Sequence, residues 1–242
     1  LGSMPGKKPL ITGIVNVTPD SFSDGGRYAD AGDALIHARQ LVSQGANVID
    51  IGGESTRPGA ASVSIEQELD RVIPVIEALA ADGVLVSIDT SKPQVMREAV
   101  QVGACMINDV CALQQPGALE TAVNLKVSVI LMHMQGTPRN MQDQPLYKDV
   151  VVEIQSFLTQ RIEVCHAAGL ERSNLLVDQG FGFGKTSEHN CALLDRLGQL
   201  TECGAPLVVG ISRKSFVGAL ARSFEPEAIK EVSALLALLA FA

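Results

Sequence analysis

Short runs of aliphatic and β-branched residues recur along the chain at 10–17, 47–51, 84–88, 105–107, 127–132, 174–177 and 206–211. Each run is apolar nearly throughout rather than alternating, which is the pattern of a strand covered on both faces, as parallel sheets require. Between the runs, apolar residues fall three or four apart and predict amphipathic helices, among them 31–44, 65–80, 93–101, 150–168 and 191–200. Gly45, Gly83, Gly103 and Gly169 stand just past four of these stretches, where a residue tolerating positive φ ends a helix and turns the chain back. The pattern is a βα unit repeated in one domain. Residues 1–9 form a lead-in, of which Leu1 to Ser3 read as a tag remnant before Met4, and no linker or charge run divides residues 10–242.

Regular βα alternation of this length allows a closed (β/α)8 TIM barrel or an open doubly wound sheet. The residues at the strand ends favour the barrel. They are Asn16, Glu54 to Arg57, Asp89, Asn108, His133, Asp178, and Ser212 to Lys214. A barrel gathers such groups at one mouth, whereas an open sheet places its site at a single crevice and leaves several of them without a shared purpose. After the seventh run only helical stretches follow, at 214–222 and 226–242. The expectation is therefore a barrel whose eighth strand is not present in the sequence as given, with the C-terminal end of the domain incomplete.

Composition narrows the partners. The chain has 242 residues, 46% hydrophobic, with 19 Lys and Arg against 27 Asp and Glu, a net charge of −8. That excludes disorder and gives the whole molecule no attraction to nucleic acid or to an anionic membrane surface. Anionic ligands then need a local cationic site. Five scattered cysteines without a C-x-x-C pair fit reduced thiols in a cytoplasm and argue against structural zinc. The longest apolar run, 234–242, is far short of the roughly 20 residues a membrane span needs, and the first residues contain no signal-peptide stretch.

Asn16 ends the first strand and opens a loop of turn-forming residues through Gly26, a segment suited to closing over a ligand or simply a long polar turn. The Asn16 amide oxygen at a barrel mouth is a suitable Mg²⁺ ligand, with phosphate and water completing the shell. Glu54-Ser55-Thr56-Arg57-Pro58-Gly59 reads either as a solvated turn or as a second closing loop in which Arg57 recognises phosphate or carboxylate. Asp89, Asn108 and Asp178 each follow an apolar strand. One such residue is usually a helix cap, but three together suit a ligand offering several N–H donors side by side, such as a pterin or guanine edge.

The segment Phe181-Gly182-Phe183-Gly184-Lys185-Thr186 resembles a phosphate loop superficially, but the first glycine of that motif would fall at Gln179. What remains is a Gly-rich turn offering Phe181 and Phe183, one of which could stack on a flat ligand. Ser212-Arg213-Lys214-Ser215 opens a helix after the seventh strand, so backbone N–H groups and two cations favour an anion site there. His133 reads as a packed residue before it reads as a proton carrier. No serine or cysteine has the surroundings of a nucleophile.

Several motifs together resemble the dihydropteroate synthase family, the folate-pathway transferases inhibited by sulfonamides. They are Asn16-Val17-Thr18-Pro19-Asp20-Ser21-Phe22-Ser23-Asp24-Gly25-Gly26, Gly52-Gly53-Glu54-Ser55-Thr56-Arg57-Pro58-Gly59, Ser87-Ile88-Asp89-Thr90, Ile107-Asn108-Asp109, Met132-His133-Met134-Gln135-Gly136 and Ser212-Arg213-Lys214-Ser215. The resemblance implies a (β/α)8 barrel that condenses p-aminobenzoate with 6-hydroxymethyl-7,8-dihydropterin diphosphate, using Mg²⁺, in a cytoplasmic homodimer. It implies that Asp89, Asn108, Asp178 and Lys214 bind the pterin. Thr56, Arg57, Phe183 and Ser215 would surround the aminobenzoate, and Asn16, Thr56 and Arg57 the diphosphate, with Asn16 also on the metal. Asp20, Asp24 and Lys214 are the expected catalytic groups, Asp20 or Asp24 stabilising the cation that develops as the leaving group departs.

Two departures stand out: Gln179 replaces the proline of the family's Asp-Pro-Gly-Phe-Gly-Phe-Gly-Lys, and the family's last strand, with its Arg-x-His, has no counterpart before Ala242. A pterin-dependent methyltransferase and an inactive pterin-binding paralogue remain as alternative readings.

Overall fold

The computed structural model describes residues 9–18, 27–55, 62–138, 140–212, 214 and 216–218. Within them strands and α-helices alternate, with two α-helices in succession only before the last strand: β1 (Thr12–Asn16), α1 (Arg27–Ser43), β2 (Val48–Gly52), α2 (Ile65–Ala81), β3 (Leu85–Asp89), α3 (Pro93–Gln101), β4 (Met106–Asp109), α4 (Ala118–Leu125), β5 (Ser128–Met132), α5 (Val150–Ala167), β6 (Leu175–Asp178), α6 (Ser187–Asp195), α7 (Leu197–Leu200) and β7 (Leu207–Val208). The predicted strand at 206–211 shortens to two residues, and the predicted helix at 191–200 starts four residues earlier and breaks at Arg196. Helix α4 is a short crossover of eight residues.

All strands are parallel and pair in the order β1-β2-β3-β4-β5-β6-β7. A doubly wound sheet reverses its strand order part-way; sequential order throughout is that of the (β/α)8 barrel, with seven strands among the described residues.

Alternation along the strands sorts the core into two layers. Ile49, Ile51, Val86, Ile88, Ile107, Val129, Leu131 and Val177 face outward and pack under the helices in one continuous apolar cluster. Met106, Ile130, Leu176 and Val208 face inward and form a smaller cluster that fills the barrel floor. Each fully buried aliphatic side chain contributes about 1.5–3 kcal/mol.

The helices begin where the local chemistry starts them. Ser64 caps α2 in a reciprocal box with Gln67, Pro93 opens α3, and the Asp149 carboxylate accepts from Val151 and Val152 at the head of α5. Gly45, Gly83, Gly103 and Gly169 all take the positive φ expected of them, between 75° and 118°. Among the described residues no helix is long and apolar enough to cross a membrane.

Candidate active site

Register carries the polar strand-end residues to the inner face of the mouth. Ile14, Asp50, Ser87 and Met106 form one row across β1 to β4, and Asn16, Gly52, Asp89 and Asn108 form the next row toward the C-terminal ends. On the other side of the barrel, Met132 pairs with Asp178 and Asp178 with Val208. Gly52 leaves the room that its neighbours share. A Cβ there would stand 3.2 Å from Asn16 Oδ1 and 3.5 Å from Asp89 Oδ2.

The two acids are held in unusual electrostatic surroundings. Burial, reinforced by the charges of Asp50, Asp109 and Glu68, pushes the Asp89 carboxyl well above the usual range, and Lys214 opposes the shift. Burial raises Asp178 as well, against a 2.6 Å hydrogen bond from the Gly180 N–H and the charges of Lys214 and Lys185. Lys214 itself is lowered by burial and held up by Asp178 and then Asp89. Its ammonium therefore lies within electrostatic reach of acids from β3 and β6.

The Lys214 Nζ also sits 4.2 Å from the centre of the Phe183 ring, a cation–π contact. Asp89, Asn108, Asp178, Lys214 and Phe183 thus border one opening, with Asn16 on its β1 side. Such a site presents carboxylate and amide acceptors beside one cation and an aromatic face. It suits a flat heterocycle with several N–H donors and a carbonyl.

A family profile described as "Pterin binding enzyme" matches residues 12–242. The dihydropteroate synthase of Escherichia coli is 53% identical over 213 residues, spanning 88% of this chain and 76% of that protein. The dihydropteroate synthase of Xanthomonas albilineans with 4-aminobenzoic acid superposes with a TM-score of 0.89 at 50% identity, covering 96% of this chain and 84% of that one. The same enzyme in complex with 7,8-dihydropteroate gives 0.85 at 46% identity, with the same coverage.

The chain belongs to the pterin-binding enzyme family.

Sequence reasoning passed over two residues of this pterin-binding enzyme. Asp50 lies in the row beneath the mouth and accepts from Asn108 Nδ2 at 2.9 Å, fixing which end of that amide faces the opening. Burial raises its carboxyl above the usual range. The available signal was a lone acid inside the apolar run Val48-Ile49-Asp50-Ile51. Lys185, dismissed with the false phosphate loop, is buried; its Nζ donates to the Gly180 and Phe183 carbonyls, each at 2.8 Å. Burial brings its pKa down to about 7.

Other groups resolve into supports. Asp109 accepts from Ser91, Cys111 and Leu113 and so builds the turn after β4. Glu54 bridges Val63 N–H and Lys92 across the base of the loop after β2. His133 packs edge-on to Phe157 with ring centres 5.0 Å apart, and burial together with the Lys185 charge holds it to a pKa of about 3. It stays neutral, which agrees with the packing role over the proton carrier. The Gln179 side chain is fully buried, and neither end of its amide has a partner among the described residues. Asp20, Asp24, Thr56, Arg57, Arg213 and Ser215 lie outside the described residues.

Proposed function

We propose that this pterin-binding enzyme is a dihydropteroate synthase: it condenses 6-hydroxymethyl-7,8-dihydropterin diphosphate with p-aminobenzoate, giving 7,8-dihydropteroate and pyrophosphate. What supports the reading is that Asp89, Asn108 and Asp178 stand at the C-terminal ends of strands in one parallel sheet, with Lys214 held against the Phe183 ring beside them. Asp89 and Asp178 accept the pterin N–H donors, the Asp50-oriented Asn108 amide reads the same edge, and Lys214 donates to the ring's carbonyl side. Phe183 supplies a face for the aminobenzoate ring, with Thr56, Arg57 and Ser215 around its carboxylate.

The reaction is a substitution at the pterin methylene. The CH₂–O bond breaks with its electron pair leaving on diphosphate, the arylamine nitrogen forms the new C–N bond with its lone pair, and that nitrogen then loses one proton to the released pyrophosphate or to water. Positive charge spreads into the pterin as the bond breaks. The work of the site is to stabilise separated charge rather than to supply a strong base. Negative charge on Asp89 and Asp178 stabilises the developing cation, and Asp20 and Asp24 add to this from the loop after β1; Asp→Asn at either loop position lowers turnover more than pterin affinity.

Mg²⁺ fits the Asn16 side of the mouth. Asn16 offers one amide oxygen toward the space left open by Gly52. A metal held by one protein oxygen, substrate phosphates and water suits that arrangement. When bound, it neutralises charge on the departing diphosphate. Arg57 and Thr56 would grip the same group.

The working form is taken to be a cytoplasmic homodimer; the five free cysteines agree with a reducing compartment, and sedimentation checks the dimer. Pyrophosphate release in the purified protein tests the reaction. Release only when both substrates are present supports the synthase. Pterin binding without release supports an inactive paralogue, and methyl transfer from a methylated pterin without pyrophosphate supports the methyltransferase.

A further inference from the structure

The Gly-rich turn after β6 is held by its backbone. A Cβ on Gly180 would stand 2.0 Å from the His133 carbonyl oxygen, and one on Gly184 would stand 2.6 Å from that of Gln135. Only glycine permits this approach, so the turn lies main chain to main chain on the segment after β5. Its outer groups are tied as well: Gln142 donates to the Gly182 carbonyl at 2.7 Å, Tyr147 to that of Gly184 at 2.8 Å, and the Gly182 N–H donates to Asn190 at 2.8 Å.

The inner groups converge on one amine nitrogen. Lys185 is 3% exposed. Its Nζ reaches the Gly180 and Phe183 carbonyls at 2.8 Å each, and the His133 carbonyl and Nδ1 at 3.3 Å and 3.2 Å. A buried amine needs partners for its N–H donors, and here backbone carbonyls supply them. Phe181 and Phe183 leave the turn in different directions. Phe181 is buried against Phe216, ring centres 5.5 Å apart, while Phe183 is half-buried with its ring against the Lys214 ammonium. The Lys185 contact to the Phe183 carbonyl acts at the residue whose ring borders the opening.

We propose that Lys185 is a positioning residue for aminobenzoate recognition: from inside the turn, without touching substrate, it fixes the backbone that aims the Phe183 ring at the mouth. The proposal rests on the reading of Phe183 as the aminobenzoate face.

The test is steady-state kinetics on the full chain for Lys185→Met, Phe183→Ala and the double variant, varying each substrate in turn. In Lys185→Met, KM for p-aminobenzoate rises about tenfold or more, while KM for the pterin diphosphate and kcat change far less. Because Lys185 acts through Phe183, the double variant is no worse toward aminobenzoate than Phe183→Ala alone. An unchanged aminobenzoate KM in Lys185→Met beside a raised one in Phe183→Ala overturns the proposal and leaves the Phe183 reading intact. So do single effects that multiply in the double variant. An unchanged KM in Phe183→Ala overturns the Phe183 reading itself. If circular dichroism finds Lys185→Met unfolded, Lys185→Gln, whose amide can donate to one carbonyl, is read by the same criteria. Failure of both to fold assigns Lys185 to stability alone and overturns the proposal.

Discussion

Asp89 shows the conflict between stability and function in one side chain. It is raised by burial and by three neighbouring acids, so its charged form is costly in the free protein. Replacement by the isosteric amide removes that cost, and Asp89→Asn raises Tm. The same change turns an acceptor into a donor facing pterin N–H groups. Leaving a buried group unsatisfied costs about 1–3 kcal/mol, roughly 5- to 150-fold in kcat/KM for the pterin diphosphate. Calorimetry and initial rates on one preparation check both; a variant both less stable and fully active contradicts the argument. Gln179 has no such return, since its buried amide is unpartnered among the described residues. Gln179→Met keeps the shape without the polar group and stabilises the fold by about 1–3 kcal/mol, seen as a higher Tm with turnover unchanged.

Between elements, ion pairs do what apolar packing does within the core. Glu68 on α2 is fully buried, accepts from the Thr90 hydroxyl at 2.6 Å, and pairs with Lys92, which also reaches Glu54 at 2.7 Å. This joins α2 to the turns after β2 and β3. Lys92→Met strands the Glu68 charge and destabilises the protein by about 3–5 kcal/mol. The Lys92→Met/Glu68→Gln pair recovers most of that loss in a denaturant titration, because no unpaired charge remains. Interactions of this kind were not legible in the sequence. The strand and helix pattern was, since a buried parallel strand and an amphipathic helix leave period and composition as traces. The mouth residues were legible too, because each polar group terminates an apolar run. Asp50 left only the trace of a lone acid in an apolar run, since its Asn108 partner is 58 residues away, and Lys185 left none, because its partners are mainly backbone carbonyls, which carry no side-chain signature. Glu68, spaced like any solvated helix residue, gave no hint that it is buried.

At the scale of the whole molecule, the acidic mouth couples pH to stability and to ligand binding with opposite signs. Burial raises Asp50, Asp89 and Asp178 above their ordinary value of 3.8 in the folded state. Between that value and the folded values the native protein binds more protons than the unfolded chain, so these groups lower stability as pH rises through the window. A bound pterin reverses the balance at the same atoms: its N–H donors favour the carboxylates, so affinity grows with pH over that range. The surface carboxylates Glu66, Asp149, Glu163 and Glu188 are lowered by hydrogen bonds and act on stability in the other direction. They are common to the wild type and Asp89→Asn, so the difference between those two proteins cancels them. Thermal melts at pH values rising from the ordinary carboxylate value of 3.8 should show the Tm advantage of Asp89→Asn widening with pH until the folded-state carboxyl has ionised. In the wild type, the Tm increase produced by a saturating pterin should widen over the same range. A ligand-induced increase that is largest at the acid end would mean the pterin meets protonated acids, and the carboxylate-acceptor geometry assigned to Asp89 and Asp178 would have to be abandoned.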